Sequence, residues 1–109
     1  MNKYTGLSDF EINKRVFVAA KIEHEDTDLH SNKVFYGDGA NWIEFNPCNN
    51  PADAMPIIIE NKLTLSPRYD SDEWISESLF YHDIYSVNKN PLRAAMEVFL
   101  MMKDAENEG

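Results

Sequence analysis

Cysteine is almost missing from this sequence. The single one, Cys48, excludes an internal disulfide framework and a cysteine-based zinc cluster. Long apolar runs are missing too. No stretch approaches the roughly 18 residues of a membrane span, so no membrane association is expected. The opening MNKYTGLSDFEINK lacks the apolar centre of a secretory signal, and the cytoplasm is the expected location. Basic charge is scarce. Ten Lys and Arg stand against 19 Asp and Glu, a formal net charge of −9. Such a surface repels phosphate backbones and anionic lipid. Direct nucleic-acid binding is disfavoured, and a basic protein patch suits better as a partner. The acidic residues crowd into EHEDTD, DSDE and the tail KDAENEG, which read as solvated loops and a frayed end from about residue 104. A hydrophobic fraction of 43% over 109 residues is enough for one globular domain, residues 1–109, with a core that needs no disulfide.

Hydrophobic spacing and turn residues set the expected elements. Ser8 with Glu11 three residues on has the capping-box spacing, and Ile12, Val16 and Ala19 or Ala20 follow at helical intervals. The first helix is placed over about residues 8–20, and EHEDTDLHSN after it reads as an acidic loop. KVFY and NWIEF flank GDGA, which predicts a hairpin over about 33–45. Asn50–Pro51 and Asn90–Pro91 are two uses of one device. Asparagine caps a helix, and proline follows at N1, where its missing N–H costs nothing. The middle helix is expected over about 51–61 with a bend at Pro56, the alternative being a later start capped by Asp53. LTLS reads as a strand. Alternation in EWISES and FYHDIYSV predicts one or two antiparallel strands, the longer over about 79–87. The last helix, about 91–103, is apolar on two stripes: Leu92, Ala95, Met96 and Phe99, and beside them Ala94, Val98 and Met101. A helix apolar over so much of its circumference is buried on more than one side. A sheet covers one stripe; another helix or a second copy in a homodimer covers the other. The fold class is α/β (α+β), a layered sandwich with three helices around a small, mostly antiparallel sheet.

No residue pattern spells a reaction. Cys48 as a nucleophile needs a base and a lowered pKa; His24, His30 and His82 are the available bases, and no nucleophile motif surrounds it. His24, Asp26, Asp28 and His30 offer metal-binding atoms, but their spacing matches neither a zinc helix nor an EF-hand loop. No catalytic residue, metal or cofactor is assigned. Arg93 is more informative. At N3 of the last helix a cation opposes the helix dipole, so an acidic partner is expected, Glu97 or Asp53. Asn49, Asp53 and Arg93 form the candidate binding cluster.

CNNPADAMPIIIENKLTL and NPLRAAMEVFLMM, with LSDFEINKRV near the start, resemble the NinX-type proteins of lambdoid phages and enterobacterial prophages. The resemblance covers most of the chain. It implies a phage accessory protein from a replication-and-recombination neighbourhood, acting in the host bacterial cytoplasm, with helices on both sides of a sheet. It implies no reaction. The functional expectation is a non-enzymatic protein-interaction module. The alternatives are a small enzyme or metal-dependent hydrolase, and an acidic DNA mimic.

Overall fold

A computed structural model describes residues 2–24 and 26–108. Three helices pack with two antiparallel three-stranded sheets in an α+β fold. The order is α1 (Asp9–Ala19), β1 (Asp26–His30), β2 (Lys33–Gly37), β3 (Trp42–Phe45), α2 (Pro51–Glu60), β4 (Ser66–Pro67), β5 (Trp74–Glu77), β6 (Tyr85–Asn88) and α3 (Pro91–Glu108). The sheets are β1-β2-β3 and β4-β5-β6, so the strands divide between two sheets where the sequence suggested one.

The helix starts fall where the capping chemistry puts them. Ser8 Oγ accepts from the Glu11 N–H at 3.2 Å. Asn50 Oδ1 accepts from the Ala52 N–H at 3.0 Å, and Pro51 opens α2 with Pro56 inside it. The earlier of the two expected starts is therefore the observed one. Asn90 Oδ1 accepts from the N–H groups of Leu92 and Arg93. α2 ends in paired bonds, Lys62 N–H to Ile59 O and Leu63 N–H to Ile58 O. That is a Schellman ending, with Lys62 at a left-handed φ of 53° where glycine is the usual residue. α3 runs to Glu108, five residues past the expected end at Lys103.

Two readings of the chain are corrected. EHEDTDLHSN is not a loop throughout: its second half is β1, paired with β2. Glu25 of that run lies outside the described residues. The turn is Ser31–Asn32, with φ of 55° and 58°, the positive pair that matches hairpin twist. The strand expected over about 79–87 holds only from Tyr85. Ser78 Oγ accepts from the N–H groups of Phe80 and Tyr81 and bends the chain there. Strand structure stops at Glu77 and resumes at Tyr85. The β2–β3 hairpin is as expected. Its tightest point is Gly37, where a Cβ would collide with the Asn41 carbonyl.

α3 lies at the centre, against α1, α2, β5 and β6. Ala94, Ala95, Met96, Val98 and Phe99 are all buried. Leu92 and Met101 are half-buried, so both apolar stripes are largely, not wholly, covered within one chain. Phe17 of α1 meets Phe45 edge-on at 5.5 Å and Tyr36 at 5.6 Å. This aromatic cluster fixes the first sheet to α1.

Candidate functional site

The two Asn-Pro helix starts meet in space. Asn90 Nδ2 donates to the Cys48 carbonyl at 2.6 Å, and Asn49 Oδ1 stands 3.4 Å away. The cap of α3 is thereby anchored to the segment that leads into α2. That segment is held from three further directions. The Asn46 carbonyl accepts from the N–H groups of Asn49 and Asn50. Asp53 accepts from the Asn46 N–H at 2.9 Å. Asn13, buried on α1, donates to Asn46 Oδ1 at 2.8 Å and accepts from the Cys48 N–H at 3.1 Å.

Arg93 stands beside this knot with its side chain buried. Its Nε donates to Glu97 at 2.7 Å and its Nη1 to Asp9 at 2.7 Å. Its Nη2 donates to the carbonyls of Tyr4 and Leu7 at 2.9 and 2.7 Å. Four of the five N–H donors of a guanidinium are therefore used inside the chain. Burial pulls the Arg93 pKa down, but the hydrogen bonds it donates to Asp9 and Glu97 outweigh it, and the net shift is upward. Glu97 in turn accepts from Ser86 Oγ at 2.6 Å and from Asn2 Nδ2 at 3.2 Å. One guanidinium so ties the segment before α1, the first residue of α1 and the buried acid of α3. The cation disfavoured at the helix start is offset by two carboxylates.

Of the three candidate residues, Asn49 is exposed and donates to Asp9 at 3.1 Å. It joins Arg93 indirectly, since both hold that carboxylate. Asp53 is not a partner of Arg93; it belongs to the Asn46 turn. Glu97 is a partner, as its one-turn spacing implied. Asp9, Asn13 and Asn46 were not anticipated. Asn13 had one signal, a polar residue beside the apolar Ile12 and Val16. Asp9 had none, because spacing along a chain does not report which helices meet.

Cys48 is fully buried, and its thiol is pushed up to about 12, by burial first and then by the charge of Asp9. A helix start alone would have lowered it, so desolvation wins. His30 bonds Asp28 at 2.8 Å and stacks on Phe35, while His24 bonds the Ile22 carbonyl. Among the described residues, no three His, Cys, Asp or Glu side chains are grouped to hold a metal ion. Among them, too, no helix is long and apolar enough to cross a membrane.

Residues 3–103 match the family model described as Bacteriophage P22, NinX. The chain belongs to the NinX family. No match was found among the curated proteins. In this NinX-family chain the matched span takes in both Asn-Pro starts, Arg93 and its two carboxylates. The stretches that carried the resemblance are thus the ones that tie the helices together.

Proposed function

We propose that this phage or prophage protein is a non-enzymatic interaction module, acting on a partner protein in the host cytoplasm. The observation that carries this reading is an open apolar groove between α1 and β1. Phe17, Val18, Ile22, Leu29 and Val34 line a cavity of about 290 Å³, with Lys14, Lys21, His24 and Thr27 completing its wall. Val18 and Leu29 beside it are 73% and 49% exposed. A contiguous apolar recess left open on a chain of net charge −9 is costly to solvate and suits docking of another chain. The polar groups with the most chemical potential point the other way: Arg93 and Cys48 are buried and committed to the fold.

The test is photo-crosslinking in infected cells. A crosslinking amino acid is placed at Val18 or Leu29, and at the fully exposed Tyr69 between β4 and β5 as control. The reading expects one protein, of phage or host, joined from Val18 and Leu29 and not from Tyr69. Absence of any adduct from both groove positions, with the variants folded and expressed, would overturn it.

A further inference from the structure

β1 is an edge strand with all five residues exposed. The two-residue turn at Ser31–Asn32 makes His30 and Lys33 the pair that exchanges both backbone bonds, and bonding alternates from there. Asp28 and Asp26 therefore bond to β2. Thr27 and Leu29 turn their N–H and C=O groups to the free edge. The Thr27 N–H accordingly finds its acceptor outside β2, in the Asp26 carboxylate at 2.9 Å. The side chains of these two residues line the apolar groove. Asp26 and Asp28 point to the opposite face, because side chains alternate. The edge thus offers backbone groups that β2 does not use, an apolar recess on one face and two exposed carboxylates on the other, Asp28 paired there with His30.

We propose that β1 accepts a strand from a partner protein: an extended segment alternating apolar residues with lysine or arginine. This rests on the interaction-module reading and names its partner's chemistry. Backbone bonds to Thr27 and Leu29 supply the docking. Apolar side chains opposite those residues enter the recess. Basic side chains opposite Asp26 and Asp28 meet the carboxylates, and unlike charges directly across strands are favourable. A second copy of this chain fits less well. Antiparallel pairing of two β1 strands centred on Asp28 sets Asp28 against Asp28; centring on Thr27 sets Asp26 against Asp28; centring on Leu29 sets Asp28 against His30 but pairs only Asp28, Leu29 and His30 before the Ser31–Asn32 turn. Like charges facing across strands oppose the first two registers. The Asp26–Thr27 bond blunts the edge in the free chain, and an arriving cation draws that exposed carboxylate away.

The experiment uses the full chain, ¹⁵N-labelled, and a short blocked peptide alternating arginine and valine. Amide shifts that saturate at Thr27 and Leu29 are expected. Thr27→Pro removes a donor that β2 does not use, and should weaken the peptide about tenfold with the pairing of β1 to β2 kept. Should that variant unfold, Asp28→Lys serves. It should weaken the arginine peptide about threefold to tenfold and admit a glutamate–valine peptide. The proposal is overturned if the β1 amides stay still at millimolar peptide, or if Asp28→Lys binds the arginine peptide undiminished. Concentration-dependent shifts at Thr27 and Leu29 without peptide would assign the edge to a second copy, and also overturn it. Crosslinks in cells beside a silent β1 would retain the module and remove the strand. Peptide binding at β1 without any cellular crosslink would do the reverse.

Discussion

Arg93→Ala should be among the most damaging substitutions in the chain. The side chain holds Glu97, whose exposure is 1%. Without the guanidinium, that buried carboxylate keeps only the Ser86 hydroxyl and the Asn2 amide. Removing one member of a buried ion pair costs about 3–5 kcal/mol, chiefly through the charge left behind. The Leu7 carbonyl loses its donor as well, while the Tyr4 carbonyl keeps the Leu7 N–H. Against a total stability of roughly 5–15 kcal/mol, such a loss is a large share. At about 4–8 °C per kcal/mol for domains near this size, Tm should fall by roughly 15 °C or more. Asp9 is half-exposed, so Asp9→Ala should cost about 1 kcal/mol or less. The pair Arg93→Met with Glu97→Leu removes both charges. It should recover part of the loss, to about 1–3 kcal/mol, with Ser86, Asn2 and the Leu7 carbonyl still short of partners. Urea denaturation of the four proteins measures all of this. An Arg93→Ala penalty below about 1 kcal/mol, or a double variant no better than the single, would refute the burial of an uncompensated Glu97 charge as the cause.

Asn90→Ala should destabilise by about 2 kcal/mol and Asn50→Ala by about 1, because Asn90 both caps α3 and donates to the Cys48 carbonyl; equal shifts in denaturation midpoint would count against that anchor. Lys62→Gly should stabilise by up to about 1 kcal/mol by relieving a left-handed φ of 53°, and a lower midpoint would deny the strain. Cys48, at about 12, should stay inert to thiol reagents at pH 8 in the native state and react on unfolding. The folded chain holds that proton more tightly than the unfolded one, so the contribution is complete below the unfolded thiol pKa and is lost as pH rises toward 12; denaturation midpoints rising across that alkaline range would contradict the sign. Val98→Glu should abolish folding instead of splitting a dimer, since Val98 is fully buried within the chain; a folded monomer by sedimentation and circular dichroism would overturn that.

Local chemistry was legible where it is decided locally. Ser8, Asn50–Pro51 and Asn90–Pro91 announce helix starts because capping depends on two or three consecutive residues. The apolar breadth of α3 announced its central position for the same kind of reason. The errors arose where residue type and backbone part company. Ser31–Asn32 forms a hairpin turn without glycine, so a charged edge strand passed for a loop. Leu79 to Ile84 alternates like a strand, yet the Ser78 hydroxyl bends it into a turn. The site was half visible. Glu97 lies one helical turn from Arg93, and spacing finds it. Asp9 lies 84 positions away, and only the packing of α1 on α3 brings it near.

That division bears on where function can reside. Arg93, Asn90 and Asn49 are joined to Asp9, Glu97 and the Cys48 carbonyl by bonds inside the chain, so any ligand there must first break contacts that hold α1 and α3 together. Such exchange is unfavourable unless the ligand replaces nearly every bond it displaces. β1 presents the opposite case. Its residues are exposed, its free backbone groups form no ladder beyond β2, and the groove beneath is already open. A partner strand there displaces solvent and two exposed side-chain bonds, Asp26 to Thr27 and Asp28 to His30. The edge can therefore change occupancy without disturbing the core, which is what a reversible interaction requires. The acidic balance of the chain acts in the same direction: it discourages pairing between like edges and speeds the approach of a basic strand. Raising salt should accordingly slow association with a basic segment more than it hastens dissociation. A partner whose binding rate is indifferent to ionic strength would have to be held by the groove and backbone alone.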